Sequence, residues 1–283
     1  MNYTSLISAE ETLKHIDDPL WRIVDCRFDL KDKELGFKKY VTSHIPNAVY
    51  ADLKKDLSSP VSPTSGRHPL PSIPAMVQKL SDWGIDATVQ VIVYDDAFGS
   101  FAGRLWWILN WLGHENVAVL NGGMSYWEKM KYPVTTEVPQ ILSRRFESNP
   151  DMSMIADVSS IEKMPSSNKI TLIDVRDPER FQGLAEPIDK IAGHVPGAIN
   201  IPWKSNIDEN GLYLPPSQLE ILYRDIIDSQ NLNDVVFMCG SGVTACHSLV
   251  AMKYMGKKGS KLYPGSWSEW IQNPDHGIET GQT

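Results

Sequence analysis

The feature that most constrains the fold of this chain is an internal repeat. Five segments of the first half recur in the same order in the second half, at offsets between 142 and 150 residues. Such self-similarity indicates a duplicated domain. The matched pairs are "RIVDCRFD" (22–29) with "TLIDVRDP" (171–178), "SHIPNAVYADL" (43–53) with "GHVPGAINIPW" (193–203), "PAMVQKLSDWG" (74–84) with "PSQLEILYRDI" (216–226), "VQVIVYDD" (89–96) with "NDVVFMCG" (233–240), and "AVLNGGMSYW" (118–127) with "SKLYPGSWSEW" (260–270).

Each half alternates short apolar strands with helical segments of about ten residues, within the usual range for α/β units. This order favours an α/β fold, with a mainly parallel sheet flanked by helices. The stretch between the halves, 132–151, holds three prolines and has no sustained periodicity, which is typical of a linker. We therefore predict two tandem α/β domains, at 1–132 and 153–283, joined by a linker at 133–152.

Composition narrows the class of protein. A formal net charge of −8 argues against a nucleic-acid binder, and no apolar run is long enough to predict a membrane span. Only three cysteines occur, Cys26, Cys239 and Cys246, and no secretory signal is visible. Both features predict a reducing, cytoplasmic location. No Cys/His spacing typical of a zinc site occurs, so no metal is expected.

The two halves differ at one informative position. Asp95 in "VIVYDDAFGS" stands where Cys239 stands in "VVFMCGSGVT". Both residues end an apolar strand and precede a helical segment, and ligands of α/β sheets collect at the carboxyl ends of strands. The repeat therefore predicts two equivalent loops, of which only the second carries a nucleophile.

A cysteine between a strand end and a helix start is in a favourable place for reactivity. Free backbone N–H groups and the helix N-terminus stabilise a thiolate, so we expect Cys239 to be reactive. Gly240 and Gly242 would let the loop curl tightly around an anion. The alternative is a buried, inert cysteine, but a core strand has no use for two following glycines. Cys246, two helical turns further on, is interpreted as a packing residue.

Two chemistries use a cysteine surrounded by amides. A phosphatase of the Cys-x5-Arg type needs an arginine six positions after the cysteine, where this chain has Ala245. Sulfur transfer needs no charged group within the loop, because the amides can stabilise the outer sulfur of a persulfide. The loop therefore favours sulfur transfer.

The residues resemble the rhodanese superfamily, specifically its two-domain sulfurtransferases, over nearly the whole chain. The motifs that carry the resemblance are "DCRFD", "DVRDPERF", "HIPNA", "HVPGA", "DLSSPVSPTSGRHPLP" (56–71), "CGSGVTACHS" and "GSWSEW". The resemblance implies a catalytic cysteine in the second domain and an inactive first domain with an acidic residue in its place. Asp95 fits that pattern.

The two residues after the cysteine separate donors within this family. Cationic residues there are typical of enzymes that act on thiosulfate, whereas Gly240 and Ser241 resemble enzymes that act on 3-mercaptopyruvate and release pyruvate. The resemblance implies that Ser241 places a hydroxyl near the developing enolate.

Arginines are expected to hold the donor. Arg180 in "PERF" matches the family arginine that grips the substrate, and the alternative for it is a surface salt bridge. A second arginine is expected in a Glu-Pro-Arg stretch, but this chain reads "EPID", with Ile188 at that position. Thiosulfate therefore stays open as the donor.

Histidines of the repeat and of "SGRHPLP" are further candidates. His44 and His194 share a His-x-Pro motif that occurs in both halves, which favours a structural turn, although His44 would contact substrate if it faced the cleft. Arg67 and His68 are candidates for the cleft rim. The predicted catalytic residues are Cys239 and Ser241, and the predicted substrate-binding residues are Arg180, Gly240, Gly242, Val243, Thr244, Ala245, His44 and Arg67.

The expected function is transfer of a sulfane sulfur from 3-mercaptopyruvate, through a persulfide on Cys239, to a thiol, a thioredoxin-like protein or cyanide. No organic cofactor, nucleic acid or membrane is expected to take part. Two alternatives remain: a thiosulfate sulfurtransferase on the same fold, and a non-catalytic rhodanese module that binds a partner or senses oxidants.

Overall fold

The duplicated sequence folds into two units, each built on its own parallel sheet. The computed structural model describes residues 2–164 and 170–282. The first unit comprises Met1–Ser59, Leu70–Asp151 and Glu209–Tyr213, and the second comprises Pro60–Pro69, Met152–Asp208 and Leu214–Thr283. Segment 60–69, which belongs to the first half by sequence, is thus part of the second unit.

The first unit contains five strands in the order β1-β5-β4-β2-β3, and all their pairings are parallel. The central strand β4 reads "QVIVY" and is buried along its whole length, as expected for a parallel strand covered on both faces. The strands are β1 (Leu6–Ile7), β2 (Trp21–Asp25), β3 (Ala48–Tyr50), β4 (Gln90–Tyr94) and β5 (Val117–Leu120).

The second unit contains four parallel strands in the order β7-β6-β8-β9. Strand β8, "VVFM", lies between β6 and β9 and is fully buried, so the residue that follows it emerges at the middle of the sheet edge. The strands are β6 (Thr171–Asp174), β7 (Ile199–Asn200), β8 (Val235–Met238) and β9 (Lys261–Leu262).

Helices flank both sheets, which confirms the predicted α/β class. Those of the first unit are α1 (Ala9–Lys14), α2 (Leu35–Thr42), α3 (Ile73–Asp82), α4 (Ala102–Trp111) and α5 (Gly123–Lys129). Those of the second unit are α6 (Val158–Glu162), α7 (Pro178–Phe181), α8 (Pro216–Leu222), α9 (Arg224–Ser229), α10 (Ala245–Tyr254) and α11 (Ser266–Trp270). In the described part of the chain, no helix is long and apolar enough to cross a membrane.

The repeated Asp-x-Arg motif is a structural clamp in both units. Asp174 at the end of β6 pairs with Arg176, with 2.6 Å between Oδ2 and Nη2, and the same Nη2 donates to the carbonyl of Gly193 at 2.7 Å. In the first unit Arg27 pairs with Asp25 and donates to the carbonyl of Ser43 in the same way. Both pairs are buried, so removing one partner would leave an uncompensated charge at a cost of about 3–5 kcal/mol.

The segment predicted as a linker runs along the first unit for most of its length. The N–H of Arg144 donates to the carbonyl of Ser81, and the N–H groups of Asn149 and Asp151 donate to carbonyls at the end of α4. Phe146 is buried among these contacts. Backbone hydrogen bonds and one buried aromatic ring therefore attach a stretch that has no regular periodicity of its own.

Candidate active site

Cys239 begins a loop that connects β8 to α10. Its side chain is buried, with the residue only 1% exposed. The N–H of Cys239 donates to Ser266 Oγ at 3.1 Å, and its carbonyl accepts from the N–H of Trp267 at 3.0 Å. The start of α11 thus holds Cys239 on both sides of its backbone.

Gly242 gives this loop its sharp curvature. Its φ of +71° lies in the left-handed region, and a Cβ there would meet the carbonyl oxygen of Pro264 at 2.2 Å. A side chain is excluded both by conformation and by space. The prediction that this glycine lets the loop curl tightly fits this geometry.

The corresponding loop of the first unit is filled by its own carboxylate. Asp95 accepts hydrogen bonds from the N–H groups of Ala97, Gly99, Phe101 and Ala102, each at 2.8 Å. Burial raises the pKa of Asp95, against the opposing effect of these four donors. A loop of this kind after a parallel strand is therefore built to surround an anion. The loop amides that align with the first three donors belong to Ser241, Val243 and Ala245.

Two arginines of the second unit reach over the Cys239 loop. A Cβ at position 240 would lie 2.8 Å from Arg67 Nη2 and 3.5 Å from Arg180 Nη2. Arg67 Nη1 bonds to Asp189 Oδ1, and Arg180 Nη2 lies 3.2 Å from Asp189 Oδ2, so one carboxylate joins both guanidinium groups. Burial lowers the pKa of Arg67, yet a guanidinium remains protonated at neutral pH.

Glu186 organises the turn that carries Asp189. Its carboxylate accepts from Arg180 Nε and Nη2 and from the backbone N–H groups of Ile188 and Asp189, the last two at 3.0 Å each. Arg180 is thus held by a bidentate pair and is not a free surface arginine. Ile188, where the resemblance led us to expect a second arginine, is 42% exposed. The second guanidinium over the loop comes from Arg67 instead.

Ser241 contacts a histidine that the predicted site did not include. Its Oγ lies 2.8 Å from His68 Nδ1, and both residues are buried. His68 belongs to segment 60–69, whose neighbouring Arg67 also donates its N–H to Ser268 Oγ at 3.0 Å. The stretch "SGRHPLP" was the available signal, but only the fold brings residues 173 positions apart together.

Thr244 and Ala245 complete the loop and begin α10, of which eight residues from Ala245 to Met252 are buried. Cys246 is fully buried, and its Sγ donates to the carbonyl of Gly242 at 3.5 Å. This geometry agrees with a packing role for the second cysteine. Within residues 2–164 and 170–282, no group of three or more His, Cys, Asp or Glu side chains is placed to hold a metal ion.

His44 requires a correction. It lies in the first unit, is fully buried, and stacks on Tyr40 with 4.1 Å between ring centroids. Its Nδ1 lies 2.7 Å from the carbonyl of Tyr40 and its Nε2 lies 3.1 Å from that of Glu137. Because both ring nitrogens contact backbone carbonyls, neither is left for a substrate, and we assign His44 a structural role. His194 shares the first half of this pattern, because it stacks on Phe181 and its Nδ1 lies 2.7 Å from the carbonyl of that residue. Its Nε2 lies 3.8 Å from Glu279 Oε2 and contacts no backbone carbonyl of the described residues.

Comparison with known proteins shows the family of the chain. The family model described as a rhodanese-like domain matches residues 8–130 and 157–273. The chain is 38% identical over 283 residues to a probable 3-mercaptopyruvate sulfurtransferase of Pseudomonas aeruginosa, covering 99% of this chain and 100% of that one. It is 30% identical to a thiosulfate sulfurtransferase of Rattus norvegicus, covering 99% and 97%.

Among solved structures, the 3-mercaptopyruvate sulfurtransferase of Leishmania major superimposes with a TM-score of 0.83 at 29% identity, over 94% of this chain and 74% of that one. The family model matches both halves of the chain, and the relatives align over nearly its full length. The chain belongs to the rhodanese family, as an enzyme of the sulfurtransferase class with two rhodanese-like domains.

Proposed function

We propose that the protein takes a sulfane sulfur from 3-mercaptopyruvate onto Cys239 and passes it to a thiophilic acceptor. The observation that carries this proposal is the convergence, around one buried cysteine, of a hydroxyl–imidazole pair and two guanidinium groups. The guanidinium groups suit a carboxylate and its neighbouring keto oxygen. The hydroxyl suits a carbon that must gain a proton.

The first half of the reaction forms a persulfide and releases pyruvate. The Cys239 thiolate attacks the donor sulfur, a new S–S bond forms, and the C–S bond of the donor breaks with its electron pair moving to carbon. The resulting enolate of pyruvate takes a proton from Ser241 Oγ, and His68 Nδ1 returns a proton to that oxygen across 2.8 Å. The thiol proton of the donor, lost as the S–S bond forms, restores the proton on His68 and leaves the outer sulfur as an anion. The loop amides of Ser241, Val243 and Ala245 stabilise the negative charge on the outer sulfur.

The second half of the reaction regenerates the enzyme. An acceptor thiolate or cyanide attacks the outer sulfur, the S–S bond breaks, and the electron pair returns to Cys239 as a thiolate. Small thiols, a thioredoxin-like protein and cyanide are the proposed acceptors. Because the sulfur stays covalently on the protein between the two steps, the proposed chemistry needs neither a metal nor an organic cofactor.

We further propose that the enzyme works in the cytoplasm, with neither nucleic acid nor membrane as a partner. The support for this is the net charge of −8, the absence of a spanning helix in the described residues, and three buried cysteines, none of which forms a disulfide.

Thiosulfate is the second candidate donor, and one observation favours it. Arg67 and Arg180 bring positive charge to a loop that has none of its own, and two guanidinium groups also suit a dianion. Measuring kcat/KM for both donors with one acceptor separates the two. We expect the higher value for 3-mercaptopyruvate, with one pyruvate released per sulfur transferred, and a higher value for thiosulfate would reject the proposed donor.

A further inference from the structure

We propose that the missing side chain of Gly240 leaves the space into which the Arg67 guanidinium extends over the Cys239 loop. We propose also that Arg67 and Arg180 together bind the carboxylate of the donor. The inference rests on the proposed function, because it assigns the specificity of that same site. It makes Arg67, which lies in the first half of the sequence, a specificity-determining residue.

Gly240 is not required by the conformation of its backbone. Gly242 has a positive φ, whereas Gly240 is absent from the glycines with that conformation. What excludes a side chain at Gly240 is the guanidinium group of Arg67, whose Nη2 would lie 2.8 Å from the added Cβ. Real Cβ atoms do not approach a nitrogen that closely, so any larger residue must displace Arg67.

Arg67 is fixed in place, and its Nε is available to a ligand. Its N–H is bonded to Ser268 and its Nη1 to Asp189, so both the backbone and the tip are anchored. Its Nε is buried and has no hydrogen-bond partner among the residues that the structure describes. A buried charged donor without a partner is costly, and an anionic ligand beside Gly240 would satisfy it.

Asp189 sets the geometry of the pair. One of its carboxylate oxygens binds Arg67 and the other binds Arg180. The Asp189 side chain is buried, with 5% of it exposed. Two guanidinium groups held by one carboxylate present their remaining donors toward Gly240 at a fixed spacing. This arrangement matches an α-keto acid, which offers a carboxylate and an adjacent carbonyl oxygen.

The structure changes what Gly240 indicates about the charge at the Cys239 loop. By sequence, a glycine directly after the cysteine indicates a loop without positive charge. In the structure the absence of a side chain admits a charge from another segment. Gly240 and Arg67 therefore act as one element and should be tested as a pair.

The test is a double-mutant cycle on donor binding in the Cys239→Ser background, where 3-mercaptopyruvate binds without turnover. We expect Arg67→Met to raise the Kd by about 10- to 100-fold, the loss that follows from removing charge-assisted hydrogen bonds. Gly240→Ala should raise it by a similar factor, because the methyl group displaces the guanidinium. The combination should bind no worse than Arg67→Met alone, since there is then nothing to displace. Isothermal titration calorimetry measures each Kd.

Three controls make the result specific. Arg144→Met removes an ion-paired arginine of similar exposure from the first unit and should leave the Kd unchanged. Arg67→Lys keeps the charge without the planar fork and should recover only part of the affinity. Thermal unfolding of every variant confirms that it is folded.

An unchanged Kd for Arg67→Met would overturn the inference, as would a combined variant whose loss equals the product of the two single losses. Failure of the proposed function has a different signature. In that case the unmodified protein forms no persulfide from 3-mercaptopyruvate, while the pattern of Kd values still decides the role of Arg67.

Discussion

His68 Nδ1 lies 2.8 Å from Ser241 Oγ, so the active loop and the segment from the first half share a buried hydrogen-bonding pair. Both residues belong to the second unit of the fold. The pair joins an imidazole, the side chain that commonly exchanges protons near neutral pH, to the hydroxyl closest in sequence to Cys239. Donors that leave as a carbanion need such a proton, and donors that leave as a stable anion do not.

We therefore expect His68→Gln to lower kcat with 3-mercaptopyruvate by about 100-fold, the lower end of what a positioned proton donor contributes. With thiosulfate as donor the loss should be less than about tenfold, because sulfite departs without a proton. Steady-state kinetics with both donors give the two ratios. His15→Gln, at a half-exposed position in the first unit, is the matched control and should change neither rate. Equal losses with both donors would assign His68 a purely structural role.

The two glycines Gly242 and Gly256 offer a second test, because both have positive φ and only one lacks space. A Cβ at Gly256, with φ of +74°, meets nothing within 4 Å, whereas one at Gly242 meets Pro264. Gly256→Ala should lower the free energy of unfolding by about 1–2 kcal/mol, the cost of the left-handed conformation alone. Gly242→Ala should cost about 1–3 kcal/mol more from overpacking and should also abolish sulfur transfer. Denaturant unfolding measures the difference, and equal costs for the two would show that the loop is free to move away from Pro264.

The titration of Asp95 should make the stability of the protein depend on pH. Burial raises its pKa above the ordinary value of 3.8, so its contribution to stability is largest below that value and is lost as the pH rises through the raised pKa. Compared with Asp95→Asn, the unmodified protein should therefore lose stability as the pH rises above about 4 and then level off. Urea unfolding of both proteins at a series of pH values gives this difference. A relative stability that grows with pH would mean that the four N–H donors outweigh burial.

The repeat was sufficient to predict the two domains, the parallel sheets and the contrast between Cys239 and Asp95. These features depend on local apolar patterns and on residues that occupy the same place in both halves. The loop glycine Gly242 could be predicted for the same reason. Turn chemistry is encoded in a few adjacent residues.

The rest of the site could not be predicted because it depends on long-range placement. Arg67 and His68 lie in the first half of the sequence but pack into the second unit. The periodicity of apolar residues gives no information about contacts between residues so far apart in sequence. The His-x-Pro motif predicts His44 as a possible binding residue, but in the structure its ring nitrogens contact backbone carbonyls. Gly240 shows the same limit, since its neighbour in space is 173 positions away in sequence.

The central claim is that Cys239 carries the sulfur, and the mass of the intact chain tests it most directly. After incubation with 3-mercaptopyruvate and removal of the excess, mass spectrometry should show the chain heavier by one sulfur atom. Peptide mapping should place that atom on Cys239. The increase should persist in Cys246→Ser, disappear in Cys239→Ser, and be lost again when a thiol acceptor is added. No gain in mass, or a gain that maps to Cys246, would contradict the account.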